Sequence, residues 1–72
     1  MPLVHVKLIE NALSGAEKRR LIESLTDATA TVVGHDVRPY IWVLVEELSS
    51  GCWGVGGSPI TTDDGVRTRG VS

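Results

Sequence analysis

The first stretch of the chain alternates its side chains in the manner of a half-buried β-strand. Within residues 3–9, Val4, Val6 and Leu8 share one face, and the other face mixes apolar and polar side chains. Pro2 precedes this run, at a position where a strand loses nothing by lacking an N–H group. The pattern predicts a first strand over residues 3–9.

A helical repeat follows this strand after a short connection. Residues 14–17 have the S-x-x-E sequence of a capping box, in which the serine hydroxyl and the glutamate carboxylate bind N–H groups of the first turn. The apolar residues that recur at three- and four-residue spacing are Leu21, Ile22, Leu25, Ala28, Val32 and Val33. Gly34 is a natural stop, so we expect one helix between Ser14 and Gly34.

A second strand and a hairpin complete the pattern. Residues 40–46 are rich in β-branched and aromatic side chains, and residues 35–39 form the turn before them. A strand, a helix and a strand joined by short connections make a β-α-β unit, in which the strands are parallel and the crossover is right-handed. The glycines of residues 51–57 predict a tight hairpin, because glycine reaches positive φ values.

The fold class that we predict is α/β, a small β-α-β subunit with parallel strands and a C-terminal hairpin, over residues 1–57. Residues 58–72 contain few apolar side chains and are expected to form a tail that packs on a neighbouring subunit. A parallel pair needs cover on both faces, and a single helix covers one. With 72 residues and one cysteine, Cys52, the chain can form no internal disulfide, so we expect oligomerisation to complete its core.

The composition of the chain limits the classes of function that we expect it to have. The net charge is −2 and the basic residues are scattered, which argues against a nucleic-acid partner. The apolar runs are shorter than a membrane span and no signal peptide is visible, so we expect a cytoplasmic protein without a membrane partner. There is no Cys/His cluster at ligand spacing and no phosphate-binding glycine motif, so we expect neither a metal nor a cofactor.

Pro2 carries the candidate chemistry. Removal of Met1 would leave a free secondary amine, and an α-amine has a pKa of about 7.7 to 8.0. Burial among apolar groups would lower that pKa further, so that the nitrogen could act as a general base near neutral pH. The alternative interpretation is that Pro2 only favours methionine removal and begins an edge strand.

Four short motifs occur together: the Met1-Pro2 start, S-x-x-E-K in residues 14–18, V-x-V-E-E in residues 43–47 and W-G-x-G-G in residues 53–57. In this combination the chain resembles the 4-oxalocrotonate tautomerase group of the tautomerase superfamily. The resemblance implies an isomerase whose β-α-β subunits assemble as hexamers. It also implies that the N-terminal proline, here Pro2, is the catalytic residue that moves a proton between carbon and oxygen of a small 2-oxo or enol carboxylate.

The resemblance further implies a set of substrate-binding residues. Trp53 matches the hairpin aromatic that makes the pocket apolar. Leu13 and Trp42 stand at the two positions where arginines that bind carboxylates are expected, so an anionic substrate loses charge-assisted hydrogen bonds there. The candidate replacements are Arg38, Arg67 and Arg69. We place Arg38, which precedes the second strand, in the substrate site with Leu13, Trp42 and Trp53.

Two alternatives stay open. Leu13 before Ser14, and a tail ending in Val71-Ser72, are similar to the β-subunit of the heterohexameric trans-3-chloroacrylic acid dehalogenase, whose partner chain provides arginines and a water-activating glutamate. Val55 stands where that glutamate would be. The chain would then form a heterohexameric dehalogenase or hydratase with an arginine-bearing paralogue, rather than a homohexamer. The other alternative is an inactive tautomerase-fold protein that serves assembly alone.

Overall fold

The computed structural model describes residues 2–65, which form a two-stranded parallel sheet, one long α-helix and a short antiparallel hairpin. The strands are β1 (Leu3–Ile9), β2 (Trp42–Leu48), β3 (Trp53–Val55) and β4 (Ser58–Ile60), the α-helix is α1 (Gly15–Val33), and a 3-10 helix spans His35–Tyr40. The predicted α/β class is confirmed, with parallel strands joined through a helix and followed by a hairpin.

The strands β1 and β2 pair over their full length. The register runs from Leu3 opposite Trp42 to Ile9 opposite Leu48. At one end of this ladder Trp42 N–H also donates to the carbonyl of Pro2, over 3.0 Å. β1 begins and ends where the alternation of side chains predicts.

β2 begins and ends two residues later than the strand predicted over residues 40–46. Tyr40 belongs to the 3-10 helix, and Ile41 N–H donates to Arg38 O (3.2 Å) rather than to β1. The sequence predicts a turn at residues 35–39 but not a 3-10 helix that includes Tyr40, because a six-residue helix has too few positions to establish a period. At the other end the ladder continues to Leu48, since β1 still offers pairing partners there.

Both predicted ends of α1 are confirmed. Ser14 Oγ accepts a hydrogen bond from Glu17 N–H (3.1 Å), and Glu17 Oε1 accepts one from Ser14 N–H (2.9 Å), which completes the capping box. Gly34 has a φ of 120°, a value that favours glycine, and its N–H donates to Ala30 O (2.8 Å). No helix within residues 2–65 combines the length and the apolar character needed to cross a membrane.

One face of the parallel sheet is covered by α1. The half-buried valines on this face are Val4, Val6, Val43 and Val45. Lys18 of α1 forms an ion pair with Glu47 of β2 on the same side. Thr26 and Ala30 of α1, with Ile9 of β1, are the only buried residues among those that the structure describes. The core that a single chain forms is therefore very small.

The opposite face of the sheet is covered within the described part of the chain only near Ile9, where Gly65 lies against it. Its apolar side chains Leu3, Trp42 and Leu44 are 58%, 56% and 46% exposed. His5 and Glu46 form a hydrogen bond across this face, with 2.8 Å between Nε2 and Oε1. The alternation of side chains did not decide which face of the sheet lies away from the helix. In the structure it is the face that carries Leu3 and Trp42.

The hairpin extends beyond its predicted end. Gly56 and Gly57 form its two-residue turn with φ values of 56° and 86°, as such a turn requires. Ser58–Ile60, which composition placed in the tail, forms the second strand. A three-residue strand that contains a proline has too little pattern to be found in a sequence.

A helical turn follows the hairpin at residues 62–65. Residues 66–72, with Arg67 and Arg69, lie outside the described residues, and the packing of the tail on a neighbour stays a prediction.

Candidate active site

Pro2 lies at one end of the parallel sheet, directly before β1. It is half-buried, and its carbonyl accepts the hydrogen bond from Trp42 N–H. Trp42 is the first residue of β2, and more than half of its surface is exposed. Two residues of the predicted site are therefore neighbours in the structure.

Arg38 lies near the same end of the sheet, in the 3-10 helix that leads into β2. Its Nε donates to Asp27 Oδ1 of α1 over 2.9 Å, and both side chains are largely exposed. A surface ion pair of this kind contributes only about 0.2–1 kcal/mol to stability. Within the described residues Arg38 is thus paired with Asp27 of α1.

The other end of the sheet forms an apolar groove of about 490 Å³. Its walls come from the end of β1, the connection to α1 and the hairpin, and they include Lys7, Ile9, Leu13, Trp53, Val55 and Ile60. A concave, mostly apolar space of this size is typical of a small-molecule site. Two further residues of the predicted site, Leu13 and Trp53, therefore line the same groove.

A single chain does not bring all the predicted residues together. β1 has seven residues, and at about 3.3 Å per residue its ends lie about 20 Å apart. Pro2 and Trp42 occupy one end of the sheet, whereas Leu13 and Trp53 occupy the other. A site that contains both Pro2 and Trp53 must therefore combine two chains.

Lys7 and Ile60 line the groove although no sequence motif marks them. The alternation of β1 puts Lys7 on the same face as Ile9, near the end of the strand. This alternation is the feature of the sequence from which the position of Lys7 could have been predicted. Ile60 had no such signal, because its strand was not predicted. Both residues line the groove because the hairpin and the helical turn at residues 62–65 lie beside the end of β1.

One carboxyl outside the groove has a shifted pKa. The hydrogen bond from Lys18 holds the pKa of Glu47 below its usual range, and the charge of the same lysine lowers it further. This pair joins α1 to β2 on the covered face of the sheet. We therefore assign it to the stability of the fold and not to the site.

These features define a class of small β-α-β proteins, with a proline at the head of the first strand and an aromatic hairpin beside an apolar groove. Residues 2–63 match the model of the family described as tautomerase enzymes. A probable tautomerase of Ralstonia nicotianae is 41% identical over 59 residues, which cover 82% of this chain and 81% of that protein.

Solved structures of the same fold agree with this match. TomN, a 4-oxalocrotonate tautomerase homologue in the tomaymycin biosynthetic pathway, is 34% identical with a TM-score of 0.74, over 99% of this chain and 97% of TomN. DmpI from Helicobacter pylori is 26% identical with a TM-score of 0.72, over 82% of this chain and 95% of DmpI. The chain belongs to the tautomerase family, in its 4-oxalocrotonate tautomerase group, and its function is of the tautomerase type, an isomerase.

Proposed function

We propose that the chain is a tautomerase that uses Pro2 as general base and acid for the keto–enol interconversion of small 2-oxo or enol carboxylates. The position of Pro2 carries the proposal. Pro2 heads β1, is tied to β2 through its carbonyl, and is the first residue of the match to the family model. Once Met1 is removed, its nitrogen is a secondary amine that can take up and release a proton near neutral pH.

The proposed reaction moves one proton and needs no cofactor. The neutral amine of Pro2 takes the proton of the enol hydroxyl, and the electron pair of that O–H bond forms the new C=O bond. The electron pair of the C=C bond then takes the proton from the prolinium nitrogen, so that a C–H bond forms. Pro2 returns to its neutral state, and nothing is oxidised or reduced.

The site is completed between chains in this proposal. Trp53 and Pro2 lie at opposite ends of one sheet, so the groove of one chain would receive Pro2 of another. An apolar groove around the nitrogen excludes water, which disfavours the ammonium form and lowers its pKa. A homohexamer is the assembly that we propose, and the heterohexamer with an arginine-bearing paralogue is an outcome of the test below.

The test is the ketonisation of phenylenolpyruvate by purified protein whose intact mass shows the loss of Met1. We expect activity in the isolated protein, and Pro2→Ala should lower kcat/KM by about 10²- to 10⁴-fold. A fully active Pro2→Ala variant, or an active protein that retains Met1, contradicts the proposal. Activity only with a co-expressed paralogue favours the heteromeric dehalogenase or hydratase, and no activity in either case favours the assembly protein.

A further inference from the structure

The apolar groove carries a single charged side chain. Of the described residues that line it, Lys7 alone is charged. Ile9, Leu13 and Ile60 have apolar side chains, and Trp53 has a neutral indole. An ammonium group beside an apolar surface suits a molecule that has an apolar body and one anionic group. The groove therefore has the chemistry of a site for an amphipathic anion.

The side chain of Lys7 makes no hydrogen bond or ion pair within residues 2–65. Glu46 stands opposite Lys7 in the β1–β2 register, but its carboxylate is hydrogen-bonded to His5 Nε2 (2.8 Å). Lys18, the only other lysine of the chain, is bound to Glu47. Because no acceptor within residues 2–65 binds it, the Lys7 ammonium is available to a ligand.

We infer that Lys7 binds the carboxylate of the substrate, in place of the arginines that are missing at Leu13 and Trp42, and that the substrate is a monocarboxylate with an aromatic or aliphatic body. The inference rests on the proposed function, because the groove must receive Pro2 of another chain for the reaction to occur there. A dicarboxylate would bring its second anion against apolar walls such as Ile9 and Ile60, where an unpaired charge is costly.

The first test compares an acid with its neutral ester. Lys7→Gln and Lys7→Arg are assayed with phenylenolpyruvate and with its methyl ester, and Arg19→Gln on the exposed side of α1 is the charge control. Lys7→Gln should raise KM for the acid about 10- to 100-fold and leave KM for the ester within about twofold. Lys7→Arg should retain most of the affinity for the acid, and Arg19→Gln should change neither KM. An equal change for acid and ester, or no change, overturns the inference.

A binding measurement separates this inference from the proposed function. Calorimetric titration with cinnamate and the neutral cinnamamide requires no catalysis. The wild type should bind cinnamate at least about tenfold more tightly, and Lys7→Gln should lose that preference even if no ketonisation is found. A preference that is absent in the wild type, or that persists in Lys7→Gln, overturns the assignment even in an active tautomerase. Tighter binding of 4-carboxycinnamate than of cinnamate overturns the monocarboxylate class.

Discussion

The Pro2 nitrogen must be unprotonated to act as a base, so its surroundings decide the pH at which the proposed reaction begins. Water around the amine favours the ammonium, and apolar side chains favour the neutral form. Within the described residues, the largest apolar side chain of the groove is that of Trp53, which is half-buried. We therefore expect Trp53 to control the hydration of Pro2.

Replacement of Trp53 with Ala should move the acidic limb of the pH–rate profile to higher pH. The smaller side chain admits water, and the pKa of the Pro2 amine rises toward the value of a free α-amine, about 7.7 to 8.0. The pH dependence of kcat/KM measures this pKa in the free enzyme. Trp53→Phe, which keeps an aromatic ring, is the matched control and should leave the limb in place. An unmoved limb in a still-assembled Trp53→Ala variant would place Trp53 outside the site.

Individual site residues could be predicted only where a short motif marks them. Pro2 and Trp53 became candidates because Met-Pro and W-G-x-G-G are recognisable in the sequence. Lys7 was missed because a lysine on a strand is most often a solvated residue, and its place in the groove depends on the hairpin that packs there. The distance between Pro2 and Trp53 follows from the length of β1. It could not be predicted from the sequence, because the sequence does not show that the hairpin lies at the far end of that strand.

The N-terminus of α1 depends on the capping box of Ser14 and Glu17. Ser14→Ala leaves the N–H group of Glu17 without its intrachain partner and should lower the free energy of unfolding by about 0.5–2 kcal/mol. Ser24→Ala is the control, since Ser24 lies within the same helix and Ala has the higher helix propensity. Chemical denaturation at fixed protein concentration measures both. Equal effects of the two substitutions would show that the cap contributes nothing.

The Lys18–Glu47 pair, which joins α1 to β2, should make stability depend on pH. The pKa of the Glu47 carboxyl is lowered in the folded chain, so its contribution is present above the ordinary glutamate pKa and is lost as the pH falls through the folded value. Glu47→Gln should therefore be less stable than the wild type at pH 7, and the difference should shrink below about pH 4. Glu23→Gln, an exposed change on α1, is the control. A difference that is the same at both pH values would contradict this assignment.

The elements that carry their own local signal were predicted from the sequence. The alternation in β1, the capping box of Ser14 and the stop at Gly34 each depend on neighbouring residues only, and all three appear as expected. The start of β2 and the whole of β4 depend on backbone hydrogen bonds. Ile41 N–H donates to the carbonyl of Arg38, and the carbonyl of Ile60 accepts a hydrogen bond from Gly51 N–H. The pattern of side chains along the sequence does not reveal either bond.

The described residues bury very little core within a single chain, so we expect the chain to need a partner for its stability. Only three described residues are buried, and no large side chain is fully buried. The radius of gyration is 14.4 Å, whereas a compact chain of this length has about 11 Å. The exposed sheet face that contains Leu3, Trp42 and Leu44 is the surface that we expect a further copy to cover.

Leu44→Asp should dissociate the oligomer, because it places a charge in the middle of that face where a partner would bury it. We expect sedimentation velocity at micromolar concentration to show loss of the wild-type species, together with loss of tautomerase activity. Val32→Asp on α1, where the side chain is 86% exposed, is the matched control and should assemble normally. An unchanged sedimentation coefficient for Leu44→Asp would exclude this face from the interface.

Subunit mixing tests most directly whether Pro2 of one chain works with the groove of another. Pro2→Ala and Trp53→Ala are unfolded together in equal amounts and refolded, and each variant is also refolded alone as a control. Activity is measured at a pH below the raised acidic limb of Trp53→Ala, where each variant alone has only residual activity. Random assembly pairs an intact Pro2 with an intact Trp53 in about a quarter of the shared sites. A kcat/KM that recovers toward a quarter of the wild-type value is the predicted result. A mixture no more active than the mean of its two parents would contradict a site built between chains.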